Sequence, residues 1–151
     1  MGKNILASSS PRRADILKDK FIFEIVPSPY EEIHSTTVFS YEYVENLAYN
    51  KAKAVIPLVD NDSIIIGADT VVVLNNKILE KPKDSEDAKR MLRELSNRTH
   101  QVVTAIAVIN TKNLKHIIQD FMVIFVTIFG EVRILHAWEK TIWWIIIVIK
   151  Q

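Results

Sequence analysis

The chain contains no cysteine among its 151 residues. That excludes a disulfide framework and any thiolate chemistry, and it fits a reducing compartment, with the cytoplasm as the expected location. It has no charge bias: 19 basic against 18 acidic side chains leave a formal net charge of +1. A nucleic-acid polymer is therefore not an expected partner, because it favours a strongly basic face. A single nucleotide is not excluded, since it needs only a local cluster. The amino terminus, Met-Gly-Lys-Asn-Ile-Leu, has no secretory apolar core, and Leu6 breaks the myristoylation pattern. No internal repeat or low-complexity linker occurs. The apolar run at 141–149 is shorter than the roughly 20 residues a membrane span needs, so no membrane is expected. What remains is one domain's length, 48% hydrophobic, enough for a sizeable core.

Against that background residues 5–13 stand out: Ile-Leu-Ala-Ser-Ser-Ser-Pro-Arg-Arg. A short apolar strand runs into three hydroxyls. Ser10 suits an N-cap, and Pro11 suits the first helical position. A helix start with unpaired N–H groups, followed by Arg12 and Arg13, suits a phosphate-bearing ligand. An ordinary capped helix with two solvated arginines gives the same local pattern.

A second signal lies at 63–74, an apolar run interrupted by one carboxylate, Asp69. Such a run reads as buried strand. A buried carboxylate needs a partner, a proton or a metal. Gly67 lets the backbone kink or a ligand approach, and Asp69 is expected at the junction of two strands. A simple Gly/Asp turn is the competing explanation.

The other elements follow from periodicity. A helix is expected over 11–18 and a strand over 21–26. Ser40 caps a helix over 40–56, with Val44, Leu47, Ala48 and Val55 on one stripe. Lys51 falls on that same stripe. Its ammonium asks for an anion there, or its stem is buried while its head reaches water. Asn75-Asn76 reads as a tight hairpin turn. Ser85 caps an amphipathic helix with Ala88, Met91, Leu92 and Leu95 on one side, and 101–109 is a further strand. Alternating strands and helices place the chain in the α/β class.

Five ordered motifs resemble the Maf family of house-cleaning nucleoside triphosphate pyrophosphatases. They are Leu6-Ala-Ser-Ser-Ser-Pro-Arg-Arg13, Asn50-Lys-Ala-Lys53, Gly67-Ala-Asp-Thr70, Glu80-Lys-Pro82 and Leu95-Ser-Asn-Arg-Thr-His100, within residues 4–110. The resemblance implies a Maf/ITPase-like α/β fold: a mixed, bent central sheet flanked by helices, with two lobes around a nucleotide cleft. It implies hydrolysis of a nucleoside triphosphate at the α-phosphate, a divalent cation (Mg²⁺ or Mn²⁺), and a homodimer. Carried over by position, Ser8 and Arg12 belong to the phosphate-binding loop, Glu31 and Asp69 hold metal, and Asp69 doubles as general base. Lys51 and Lys81 face phosphate, and Thr70 is the neighbouring specificity residue. Ser-Pro-Arg-Arg, Gly-Ala-Asp-Thr and Thr-His-Gln are similar to the branch acting on dTTP and UTP. Modified pyrimidine nucleotides are further substrates that the resemblance implies. Glu32, adjacent to Glu31, competes for the place facing the cleft.

The tail departs from the family. A Gly-Gln-Gly-like motif is expected after the last matching strand, but Gly130 is the last of only three glycines. From about Phe121 the sequence drifts, and Gln151 lacks the flanking glycines. The single domain over 1–151 is therefore expected to be truncated or altered after about residue 120. The alternative function is a catalytically impaired nucleotide-binding or interaction protein, related to septum-formation inhibitors.

Overall fold

The computed structural model describes residues 2–33, 38–128 and 131–136, from residue 121 onward by backbone alone. The elements in chain order are β1 (Lys3–Leu6), α1 (Pro11–Leu17), β2 (Glu24–Ile25), α2 (Tyr41–Lys53), β3 (Ser63–Leu74), β4 (Lys77–Leu79), α3 (Ser85–Leu95), β5 (Thr99–Asn110), β6 (His116–Ile128) and β7 (Glu131–His136). A 3₁₀ turn (Ile56–Leu58) follows α2. The described strands form one sheet in the order β2-β1-β3-β5-β6-β7, with β4 paired to β3. β1 runs parallel to β2 and to β3, whereas the remaining pairs are antiparallel. The mixed α/β sheet expected from the sequence is thus present, flanked by helices.

Strand side chains alternate between two faces, and each face has its own core. Ile5, Ile65, Val103, Ala105 and Ala107 pack with Val44, Ala48 and Ala52 of α2 and with Val55 just beyond its end. On the opposite face Leu6, Ile66 and Val108 meet Leu17 and Ala14 of α1. Burying each large aliphatic side chain here contributes about 1.5–3 kcal/mol.

The local signals explain most element ends. Ser40 Oγ accepts from the Tyr43 N–H at 3.1 Å, closing the start of α2. The helix stops at Lys53 rather than reaching Ile56. Pro57 lacks an N–H, and its ring would clash with the carbonyl four residues back, which is that of Lys53. Asn75 and Asn76 have φ of 49° and 62°, the paired positive values of a type I′ hairpin turn. The cap of α3 is Asp84, whose Oδ1 accepts from Asp87 N–H at 2.8 Å, and Ser85 is the first helical residue. Both residue types cap well, so their order was not decided by type.

Two further expectations are corrected. The strand at 21–26 shrinks to Glu24–Ile25, because Phe21 and Phe23 turn in edge to face at 5.9 Å against the α1 core. Asp69 sits inside one continuous strand, not between two. The apolar side of α3 is not buried: among the described residues Ala88, Met91 and Leu95 are half-buried and Leu92 is 68% exposed. The run at 141–149 and Gln151 lie outside the described residues.

Candidate active site

The site lies where β3 changes partners. Along one edge, β3 pairs with β1 only as far as Ile66 and with β4 only from Val72. Among the described residues no strand pairs with 67–71 on that edge, while β5 pairs with them along the other. β1 ends at Leu6, and the chain leaves through Ser8 into α1. A gap beyond the carboxyl end of a parallel strand, where the sheet changes direction, is where ligands of open α/β sheets bind. The sequence signal for a strand junction at Asp69 has this origin: the strand is unbroken but its neighbour changes.

Gly67 has a packing role rather than a ligand role. A Cβ built there would lie 2.4 Å from the Ala48 carbonyl oxygen and 2.8 Å from Ala52 Cβ. Glycine against two alanines lets α2 rest directly on β3. Lys51, between those alanines in sequence, is thereby brought to Asp69, two residues beyond Gly67. Its ammonium bonds Asp69 Oδ1 and also lies 2.6 Å from Glu32 Oε1. Side-chain exposures are 14% for Lys51, 9% for Asp69 and 23% for Glu32. Each buried charge is therefore paired, as burial requires. The stripe lysine takes an anionic partner instead of reaching for water.

Ser8 is buried, and its Oγ accepts from Arg13 Nη1 at 3.1 Å and from Ser10 N–H at 3.2 Å. Arg13 Nη2 reaches Thr70 Oγ1 at 3.5 Å, and Thr70 shares a hydrogen bond with Thr104 at 2.9 Å. Burial lowers the Arg13 pKa, while the nearby charges of Asp69 and Glu32 oppose that shift. Burial raises the Tyr43 phenol, with Glu80, Glu32 and Asp69 pushing in the same direction.

Two adjoining clefts of about 510 and 620 Å³ share Tyr30, Glu32, Asp69, Thr70 and Lys81. The smaller is polar, with Ser8, Arg13 and Lys51 in its wall. The larger has Leu47, Val71, Ile78, Leu79 and Met91 beside Tyr43. Ser8, Lys51, Asp69, Thr70 and Lys81 are thus gathered in one place.

Two of the residues named from the sequence lie elsewhere than expected. Arg12 is exposed and lies outside both linings, and Arg13 is the arginine that turns into the cleft. The helical phase carries this information. Ala14 and Leu17 face the sheet, and position 13 is one turn before Leu17, whereas position 12 rotates away. α1 is also only two turns long, and the Ser10 hydroxyl makes no cap bond. The cationic character of this corner accordingly comes from the Arg13 side chain. Glu31 is exposed at the edge of the apolar cleft, and Glu32 is the acid paired with Lys51. Both lie in a loop, where no periodicity distinguishes neighbours.

Among the described residues no group of three or more His, Asp and Glu side chains gathers as a ready-made metal cage. Asp69 and Glu32 nevertheless converge on one point, the Lys51 ammonium. Two hard carboxylates fit a Mg²⁺-type ion, which takes one or two of them and completes its shell with water and phosphate.

The chain is 44% identical over 109 residues to a dTTP/UTP pyrophosphatase of Vibrio parahaemolyticus, an alignment covering 72% of this chain and 58% of the relative. It is 46% identical over 117 residues to a dTTP/UTP pyrophosphatase of Ruminiclostridium cellulolyticum, covering 76% and 60%. The chain therefore spans about three-fifths of the length of these relatives. Among solved structures, a nucleoside-triphosphatase / dITP/XTP pyrophosphatase from Mycobacterium abscessus matches with a TM-score of 0.54 at 17% identity, covering 82% of this chain and 73% of that one. The Staphylococcus aureus Ham1 protein gives the same score and identity, covering 82% and 71%. At that identity the likeness establishes the fold, which is the ITPase-like one expected. The family model described as Maf-like protein matches residues 3–135, beyond the stretch that carries the motifs, and the chain belongs to that family.

Proposed function

We propose that this protein hydrolyses dTTP and UTP to the monophosphate and pyrophosphate, as a house-cleaning enzyme of the cytoplasmic nucleotide pool. The observation that carries the reading is the two-part cleft at the β3 partner change. Its polar half holds Ser8, Arg13, Lys51 and Asp69, and its other half adds the apolar side chains of Leu47, Val71, Ile78, Leu79 and Met91 beside Glu80 and Lys81. A triphosphate suits the first and a pyrimidine base the second. The names of the relatives supply the substrate class.

In this reading Arg13, Lys51 and Lys81 counter the charge of the phosphates, and Ser8 orients Arg13. Asp69 orients a water for attack on the α-phosphorus. The new bond joins the water oxygen to phosphorus, and the bond to the bridging oxygen of the β-phosphate breaks. Pyrophosphate leaves with that electron pair, and the water proton passes to the Asp69 carboxylate and then to solvent. Burial of Ser8 and Asp69, with Lys51 largely shielded, strengthens these charges at the inner end of the cleft. A divalent cation, Mg²⁺ or Mn²⁺, would be held by Asp69 and Glu32 and would neutralise charge on the transferring group. Thr70, beside Arg13, is positioned to bias the choice of nucleotide. A homodimer belongs to the same family-based reading and is tested by size-exclusion chromatography with light scattering.

The direct test is pyrophosphate release from dTTP, UTP, GTP and 7-methyl-GTP, with Mg²⁺, Mn²⁺ or EDTA. Metal-dependent turnover of dTTP and UTP above the purine nucleotides is expected. Nucleotide binding without turnover by the folded chain would move the assignment to the non-catalytic alternative.

A further inference from the structure

Lys51 is engaged in a way that conflicts with a fixed role at phosphate. Its ammonium is shared between Asp69 and Glu32, and all three side chains are largely buried. The carboxylates proposed to hold a divalent cation already hold a monovalent one, supplied by the chain. An ammonium and a metal cannot share that point, because like charges so close in a shielded site repel strongly. Removing the ammonium with nothing in its place is also costly, since it leaves two carboxylates facing each other.

Resting on the pyrophosphatase reading, we propose that Lys51 is a built-in counter-cation that keeps the metal site closed until nucleotide arrives. The triphosphate draws the Lys51 ammonium off Asp69 and Glu32, freeing both carboxylates for the metal as Lys51 takes up phosphate. Three features favour this exchange over a static salt bridge. Lys51 lines the polar cleft together with the Ser8 loop and Arg13, so phosphate oxygens there compete directly for its protons. Among the described residues no third carboxylate gathers with these two, so a divalent ion there gains ligands when phosphate oxygens join water in its shell. The alanine-glycine contact fixes the backbone of α2, so only the flexible lysine side chain has to move. Linkage then makes nucleotide and metal binding mutually reinforcing, and couplings of this kind typically amount to about 5–150-fold.

The test is Mn²⁺ binding to the nucleotide-free chain, followed by electron paramagnetic resonance. Lys51→Met and Lys51→Gln, confirmed as folded by circular dichroism, should bind Mn²⁺ about tenfold or more tightly than the wild type. The gain should vanish when Asp69→Asn is added. Equal Mn²⁺ affinity in the wild type and both lysine variants would overturn the proposal, as would a gain that survives loss of Asp69. If neither variant folds, the ammonium signal of Lys51 in the ¹⁵N-labelled wild type decides. It should shift on addition of Mg²⁺ with a non-hydrolysable α,β-methylene dTTP analogue, and an unchanged signal at saturation overturns the exchange. Pyrophosphate release by the wild type is scored separately. Tighter Mn²⁺ binding in the variants without wild-type turnover would keep the exchange and remove the enzymatic reading, and the reverse pattern would do the opposite.

Discussion

On the α2 side of β3, Asp69 is 6% exposed and ion-paired with Lys51, held there by glycine-on-alanine contact. One residue later and on the opposite face, Thr70 is exposed, and Arg13 of the two-turn α1 reaches it at 3.5 Å. The two faces meet at the same gap in the sheet, yet they are built differently. On the α2 face the helix packs directly on strand backbone, and its charges are shielded from solvent. The α1 face depends on one long side chain braced by the Ser8 hydroxyl. Chemistry that needs a shielded carboxylate belongs on the first, and recognition that must adapt to a ligand belongs on the second.

The largest expected effect breaks the α2 face. Asp69→Asn should lower pyrophosphate release about 10²–10⁴-fold, the range for losing a positioned general base. Far-UV circular dichroism should still report a cooperative, folded chain. A variant retaining more than a tenth of wild-type activity would sink the assignment.

The α1 face is sharpened by a paired substitution. Arg13→Ala should cost about 10–100-fold in kcat/KM, as expected for losing charge-assisted hydrogen bonds. Arg12→Ala should change kcat/KM less than about threefold, because that side chain lies outside both clefts. Equal losses in the two variants would contradict the orientation of α1.

Gly67→Ala probes the contact itself. The added methyl has no room against Ala48 and Ala52, so chemical denaturation should show a loss of about 1–3 kcal/mol. Activity per folded molecule should fall as well, since Lys51 moves with α2. Unchanged stability would mean that the helix does not rest on β3 this closely.

The smallest effect lies away from the cleft, where α2 meets β6. Hydrogen bonding to Asp120 is the main reason the Glu45 pKa is raised, with burial and the Asp120 and Glu42 charges adding to it. A carboxyl whose folded pKa is raised contributes stability below its unfolded pKa and loses it as pH rises through the folded value. Glu45→Gln should therefore raise the melting temperature slightly near neutral pH, and the gain should shrink on acidification. A pH-independent difference in Tm would show that the two carboxyls do not share a proton.

Much of this molecule is legible in residue order. The α2 stripe, the Asn75-Asn76 turn and the long strands each follow from periodicity or turn chemistry that acts within a few residues. Lys51 on an apolar stripe and Asp69 in an apolar run are anomalies that burial makes costly, so each implied a partner. Their partner in fact is the other, across 18 residues of chain. Loops and phases were less legible. Glu31 and Glu32 have identical side chains in a segment without periodicity, and only the path of that loop decides that Glu32 meets Lys51. The helical phase separates Arg13, one turn before the buried Leu17, from Arg12, which only the family resemblance singled out.

The sequence by itself determined the α/β class, the family and the set of charged groups, because these depend on local spacing and residue chemistry. Tertiary structure decided which arginine and which glutamate face the cleft, why Gly67 is glycine, and that β3 runs unbroken through the site while its neighbour changes from β1 to β4. These are matters of distance between segments far apart in the chain, and they are settled only when α2 comes to rest on the sheet.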